Sequence, residues 1–263
     1  MSVTLSNSDT KKANKDAFVA RCAKCVFSKK GMTILCVVVV LGFCLYDFVI
    51  LPKLDVWGAT DAETKMSLPG DSAIPGEEPY WLMTVATTVN APPEKIFPYF
   101  LQAGQDKAGF YSFDWLERSI GFGIHNTYTI EPKWQGTKAG DFCTFTQSGM
   151  GMRIVSITPN RNILMVSNGL DRTHPLPPGK WELLWTPLFS PAKGDYVAWN
   201  WDFNLFPQPD GTTRVIVRCK HTSKGNALAR FAFKHAWALP SDIMDIEMLR
   251  RVKMLAEGTY PLH

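Results

Sequence analysis

A regular alternation of apolar and polar residues runs from Tyr196 to Phe206. Large apolar residues occupy every second position, whereas alanine, asparagine and aspartate fill the positions between them. A period of two predicts a β-strand with one face in the core and one face in water. Residues 213–223 repeat the alternation after a turn at 207–211, so the two segments are predicted to form an antiparallel hairpin. The apolar members of the first strand are Val197, Trp199, Trp201, Phe203 and Leu205.

The rest of the chain predicts further strands and several helices. Apolar residues have helical spacing at 94–102 and 113–120, and Pro240 is expected to break the C-terminal helix before it restarts at Ser241. This order predicts an α+β fold in which a curved antiparallel sheet packs on a long terminal helix, with room for an apolar hollow between them. The further strands are predicted at 81–90, 127–130, 141–147, 152–158 and 163–167.

A long apolar run at 32–51 predicts a transmembrane helix, because as a helix it would span about 30 Å, the thickness of a hydrocarbon core. A signal peptide is the alternative, but the run is longer than a typical h-region and no A-x-A cleavage site follows it. The basic tail at 1–31 is expected in the cytoplasm, and the remainder beyond the plasma (inner) membrane, in a periplasmic or extracellular position. Prolines and glycines at 52–79 predict an extended linker, and the folded domain is expected at 80–263.

The formal net charge of +4 is concentrated in the N-terminal tail. Beyond the apolar run the basic and acidic residues nearly balance, which argues against nucleic acid as a partner. Cys22 and Cys25 form a CxxC, but no second pair or histidine cluster accompanies them, so neither a metal nor another cofactor is predicted. Cys143 and Cys219 fall in separate predicted strands and are expected to be buried apolar residues.

A likeness to a known superfamily rests on three segments: VNAPPEKIFPYFLQAGQDKAGFYSFDWLERSIG at 89–121, IEPKWQGTKAGD at 130–141 and DIMDIEMLRRVKMLAEG at 242–258. They resemble the START-like superfamily of polyketide cyclases and lipid-transfer proteins, also called SRPBCC, in particular a bacterial branch with a GxYSxDWLE signature. The resemblance covers 81–258. It implies a helix-grip fold whose sheet and C-terminal helix enclose a hydrophobic ligand cavity, usually without a metal or covalent cofactor, and it assigns no reaction.

The aromatic face of the predicted hairpin is the first candidate site. Small-molecule sites are concave and mostly apolar, with a few polar groups. A filled core would use the same residue types, so the pattern leaves both interpretations open. The predicted ligand-binding residues are Phe145, Trp199, Trp201, Phe203, Val217, Met248 and Leu249.

The second candidate site is an acidic helical segment. Asp114 and Glu117 are spaced i, i+3 on one helix face, where two carboxyl groups could raise one pKa into the range of acid/base chemistry. Arg118 beside them suits a structural ion pair equally well. The sequence contains no HExxH, GxSxG, P-loop or Rossmann fingerprint, so it gives no support to a metalloprotease, hydrolase or nucleotide-binding enzyme.

Three functions remain open at this point. The favoured one is a membrane-anchored domain that binds a lipid or another hydrophobic small molecule. A cyclase- or aromatase-like enzyme would use Asp114, Glu117 or a histidine as acid or base. An accessory subunit of a membrane complex would need only the anchor and the surface of the domain.

Overall fold

The computed structural model describes residues 15, 28–74, 79–119, 121–147, 149–167, 196–224 and 227–261. The chain divides into two compact units between Pro52 and Lys53. The predicted CxxC at Cys22 and Cys25 and most of the basic tail lie outside the described residues.

The first unit contains a long apolar helix. Helix α1 spans Lys29–Leu45, begins at Ser28 as its N-cap, and continues through a π-helical turn at Tyr46–Ile50. Together with the following turn it forms a helix from Lys29 to Leu54 that is long and apolar enough to cross a membrane, judged by length and composition. Its apolar side chains are largely exposed, which is unlike the core helix of a soluble domain.

The second unit is built on a six-stranded antiparallel sheet in the order β1-β6-β5-β4-β3-β2. The predicted hairpin is confirmed as β5 and β6, with Trp199 opposite His221 and Phe203 opposite Val217. The segment at 127–130 forms no strand, and the one at 141–147 is a strand only over its middle residues. The strands are β1 Trp81–Val89, β2 Phe142–Thr144, β3 Gly151–Thr158, β4 Asn162–Ser167, β5 Tyr196–Pro207 and β6 Thr213–Lys224.

In the part of the chain that the structure describes, four α-helices accompany the sheet: α2 Asp61–Lys65, α3 Pro93–Leu101, α4 Asp114–Ser119 and α5 Ala227–Ala256. Helix α5 packs along β1 and against α3. The predicted break at Pro240 does not occur, and the helix continues through this proline. Buried Ala238 and Asp242 on either side of it show that packing holds the helix together there. The α+β, helix-grip fold expected from the sequence is therefore confirmed.

The outer face of β5 is buried, although its polar residues predicted a solvent-facing surface. Residues 53–74, expected as part of an extended linker, instead pack across this face. Asp202 accepts a hydrogen bond from the backbone N–H of Gly70 at 2.9 Å, and the amide of Asn200 donates to the Gly70 carbonyl at 2.5 Å. Ile74 packs with Leu164 and other apolar residues of the same face. The polar side chains thus bond to the backbone of the covering segment rather than to water.

A buried arginine ties the same segment to β6. The Arg218 guanidinium donates to the backbone carbonyls of Glu63, Thr64 and Met66 at 2.7–3.0 Å and pairs with Asp71 at 2.9 Å. An arginine has five N–H donors in a fixed geometry, so one side chain can satisfy several otherwise unpaired carbonyls. We conclude that residues 53–74 are an integral layer of the domain.

Candidate ligand cavity

A cavity of about 400 Å³ lies between the inner face of the sheet and helix α5. Its lining is almost entirely apolar, with aromatic and methionine side chains from the sheet, the helix and the 110–124 region. Leu116 and Ile243 line the cavity and are also 45% and 39% exposed, so they mark its mouth. Such a volume and lining are typical of small-molecule sites.

The predicted site residues divide into two groups. Phe145, Trp199, Trp201 and Met248 line the cavity. The other three, Phe203, Val217 and Leu249, are at most 1% exposed and are not among the lining residues. They belong to the packed core, where the ring of Phe203 lies 4.7 Å from that of Phe100. The alternation predicts which face points inward, but not where along that face the space opens.

The aromatic wall is held by ring contacts within the cavity. Phe145 meets Phe110 and Trp201 edge-on, with centroid separations of 5.5 and 5.8 Å. Further along the sheet, His221 stacks on Trp81 at 4.2 Å and on Trp199 at 6.0 Å. Burial lowers the pKa of His221 to about 3, so this imidazole is neutral at physiological pH.

A carboxyl group from helix α5 reaches the cavity wall. The Oδ1 atom of Asp245 accepts a hydrogen bond from the indole Nε1 of Trp201 at 3.1 Å, and Oδ2 lies 3.9 Å from the thiol of Cys219. Burial raises the pKa of Asp245 to about 7, although both donors oppose the shift. Near it lies Asp242, whose pKa is raised by burial and by the neighbouring carboxyl group of Asp55 in the covering segment.

A second carboxyl group comes from helix α4. Glu117 lines the cavity and is only 3% exposed. Its Oε1 accepts a hydrogen bond from the hydroxyl of Ser112 at 2.5 Å, whereas Oε2 has no hydrogen-bond partner among the described residues. Burial raises the pKa of Glu117. A buried carboxyl oxygen without a hydrogen-bond partner loses the free energy of its hydration. Oε2 of Glu117 is therefore a candidate acceptor for a donor group of a ligand.

The other members of the acidic segment have a structural role. Asp114 pairs with Arg118 at 2.5 Å, and this pair lowers the pKa of Asp114 against the opposing effect of its burial. Arg118 also donates to the Ile124 carbonyl, and the backbone N–H of Asn126 donates to Asp114. The pair therefore fixes the loop that follows α4, while Glu117 alone faces the cavity. The structural interpretation of this segment holds for Asp114 and Arg118, whereas Glu117 lines the cavity.

The sequence reasoning missed several polar and aromatic lining residues, among them Asp245, His221 and Trp237. Asp245 had a usable signal, since it lies three and four positions before Met248 and Leu249 and must share their helix face. An acidic residue on an apolar stripe is a candidate for a buried carboxyl. Within the described ranges, no group of three or more histidine, cysteine or acidic residues is placed to hold a metal ion.

No protein-family model and no curated protein sequence matches this chain. Solved structures with a similar backbone include protein MLL2253 from Mesorhizobium loti, at 14% identity and a TM-score of 0.37, covering 69% of this chain and 100% of that one. The Aha1 dimer from Colwellia psychrerythraea has 13% identity and a TM-score of 0.31, covering 69% and 99%. Ara h 8.0201 has 12% identity and a TM-score of 0.30, covering 64% and 98%. At these values the helix-grip assignment rests on the sheet order and the terminal helix themselves.

Proposed function

We propose that the domain binds an apolar small molecule, such as a lipid, in the cavity between the sheet and α5. The observation that supports this is the partly open cavity of about 400 Å³ with its apolar lining. A protein interior is normally close-packed, and an unfilled apolar space forfeits contact energy. A ligand that occupies the space restores those contacts and removes its own apolar surface from water.

Native mass spectrometry of the full chain, released from mild detergent, tests the proposal. The expected result is a bound species that denaturation releases and solvent extraction identifies as apolar. A cavity-filling variant, Ile124→Trp, replaces a buried lining residue with a larger one and should lose the bound species. Ile124→Val is the matched control and should keep it. An empty cavity in the wild type, after exposure to total lipid extract, would contradict the proposal.

The proposal includes a membrane anchor formed by the helix Lys29–Leu54. The length and composition of this helix support it, and the basic residues before the helix favour a cytoplasmic N-terminus in the plasma (inner) membrane. Tethering would raise the concentration of the domain near a source of bilayer-derived ligands. The chain should stay with the membrane on alkaline carbonate extraction. A C-terminal alkaline phosphatase fusion should be active and a C-terminal GFP fusion dark; the opposite pattern would place the domain in the cytoplasm.

The unpartnered oxygen of Glu117 favours a second candidate, an enzyme that uses this carboxyl as acid or base on a bound apolar substrate. Burial raises its pKa, which is the direction that acid/base chemistry near neutral pH requires. Incubating the full chain with its extracted ligand should then yield a product of altered mass or structure, and Glu117→Gln should abolish the conversion. If the ligand is recovered unchanged, the enzyme proposal is wrong and the binding proposal remains.

A further inference from the structure

The cavity lining is mostly apolar, and the charged side chains among its described residues are acidic. Glu117 and Asp245 contribute carboxyl groups, whereas no lysine or arginine is among the lining residues in the part of the chain that the structure describes. A carboxylate or phosphate on a bound ligand would find no cation among these described lining residues and would lie near two acids. Burying an unpaired anion is strongly unfavourable, so the lining selects against fatty acids and phosphate head groups within it.

The free oxygen of Glu117 supplies the acceptor for a ligand group. Ser112 already donates to Oε1, which orients the carboxyl, whereas the buried Oε2 has no hydrogen-bond partner among the described residues. Asp245 is likewise oriented by the Trp201 indole. Glu117 therefore has a protein donor on one oxygen, whereas Asp245 has the Trp201 indole on Oδ1 and the more distant Cys219 thiol on Oδ2. These donors favour the ionised form of each carboxyl against the burial that raises its pKa.

The aromatic residues add a second element of selectivity. Trp199, Trp201 and Trp237 line the cavity, and indole faces attract cations through their quadrupole. This attraction increases where water is excluded. A cationic group in the cavity could thus have carboxylates and indoles as neighbours, while the rest of the ligand contacts the apolar wall.

We infer that the ligand is an apolar amine, whose protonated nitrogen donates a hydrogen bond to Oε2 of Glu117 while Asp245 supplies a second negative charge in the same cavity. The inference rests on the proposed function, because it specifies the class of molecule that the cavity binds. No bond is made or broken. Where Glu117 is protonated in the empty cavity, binding of an ammonium ion releases that proton to solvent.

The test compares three probes with the same alkyl chain: dodecylamine, dodecan-1-ol and dodecanoic acid. The full chain is reconstituted in phosphatidylcholine nanodiscs, and equilibrium dialysis against empty nanodiscs corrects for partitioning into lipid. Since hydrogen bonds to charged groups are worth about 1.5–3 kcal/mol, the amine should bind at least about tenfold more tightly than the alcohol. The acid should bind more weakly than either.

Three variants make the result specific. Glu117→Gln and Asp245→Asn keep the shape of each side chain and should each weaken amine binding about tenfold, while alcohol binding changes less than about threefold. The control Glu94→Gln removes an exposed carboxyl on α3, outside the cavity, and should change neither. Retained alcohol binding also shows that a variant is folded.

The outcomes separate this inference from the proposed function. If the alcohol binds and the amine binds no more tightly, or if both variants bind the amine like the wild type, the amine assignment is wrong and the apolar cavity stands. If none of the three probes binds to the wild type, the cavity does not bind apolar molecules of this size and both proposals fail. Tighter binding of the acid than of the amine would reverse the charge assignment.

Discussion

The indole nitrogen of Trp201 donates to the Asp245 carboxylate at 3.1 Å and so connects the middle of β5 to helix α5. The bond lies at the wall of the cavity, between the element that the sequence predicts most clearly and a residue that it gives little reason to single out. The indole and the more distant Cys219 thiol are neutral donors that compensate only part of the desolvation of a carboxylate, which explains why burial still raises the pKa of Asp245 to about 7. Asp245 is therefore a group that lowers stability at neutral pH.

Replacement of this carboxyl should stabilise the empty protein in a pH-dependent way. The pKa of Asp245 is about 7 in the folded chain and about 4 in an unfolded one. A raised pKa favours the folded state at low pH, and this contribution is lost as the pH rises from about 4 through 7. Asp245→Asn has no such loss. Its stability relative to the wild type should increase by about 2–4 kcal/mol between pH 4 and pH 8, measured by urea unfolding.

The titratable groups around Asp245 are the same in the wild type and in Asp245→Asn. Cys219 of β6 contacts Asp245, Asp242 and Asp55 form the adjacent carboxyl pair, and His221 lines the same cavity. Glu94→Gln, at an exposed carboxyl of α3, serves as the control. A stability difference between Asp245→Asn and wild type that is constant from pH 4 to pH 8 would show that Asp245 does not titrate in this range.

The covering segment at 53–74 should depend on Arg218. Arg218→Lys retains the charge but cannot donate to three carbonyls and Asp71 together, so backbone acceptors of the segment lose their partner. We expect a loss of about 3 kcal/mol in the free energy of unfolding. Arg153→Lys, at an exposed arginine of β3, is the matched control and should change stability by less than about 0.5 kcal/mol. If Arg153→Lys lowered the free energy of unfolding as much as Arg218→Lys, the loss would come from the change to lysine and not from the bonds to the covering segment.

The same segment carries an acid-sensitive ion pair. Glu63 receives two hydrogen bonds from Arg214 at 2.7 and 2.8 Å, and they lower its pKa to about 2. A lowered pKa contributes stability above the unfolded value of about 4.3 that is lost as the pH falls toward 2. Solvent screening limits the amount to about 1 kcal/mol. Glu63→Gln should therefore lower stability at pH 6 and not at pH 2; an equal effect at both pH values would mean that the ion pair contributes nothing.

The sequence predicts the inward face of β5 but not the layer that covers its outer face. Asn200 and Asp202 have the polarity of solvent-facing residues, and their actual partners are backbone groups near Gly70. Backbone groups leave no pattern in a sequence, and the segment itself has too few apolar residues for a detectable period. The carboxyls of Glu117 and Asp245 pose a similar difficulty. The sequence shows that these residues are acidic, but their burial depends on elements that meet only in the folded chain.

A variant in β5 can separate the packed residues from the cavity residues. Phe203 is fully buried against Phe100 and does not line the cavity. Phe203→Leu should lower the free energy of unfolding by about 1–2 kcal/mol and leave the affinity for dodecan-1-ol within about threefold. Trp201→Phe, at a lining position, should change the affinity for dodecan-1-ol by more than about threefold. Loss of binding in the Phe203 variant alone would extend the site into the core.

Leu116 and Ile243, at the mouth of the cavity, influence how fast a molecule can exchange. Exposed side chains change rotamer within nanoseconds, far faster than helices separate from sheets. Passage past two such side chains requires no opening of the hydrogen-bonded framework. Residence time should then follow the hydration free energy of the departing molecule, lengthening with each methylene group, and sub-denaturing urea should affect it only weakly.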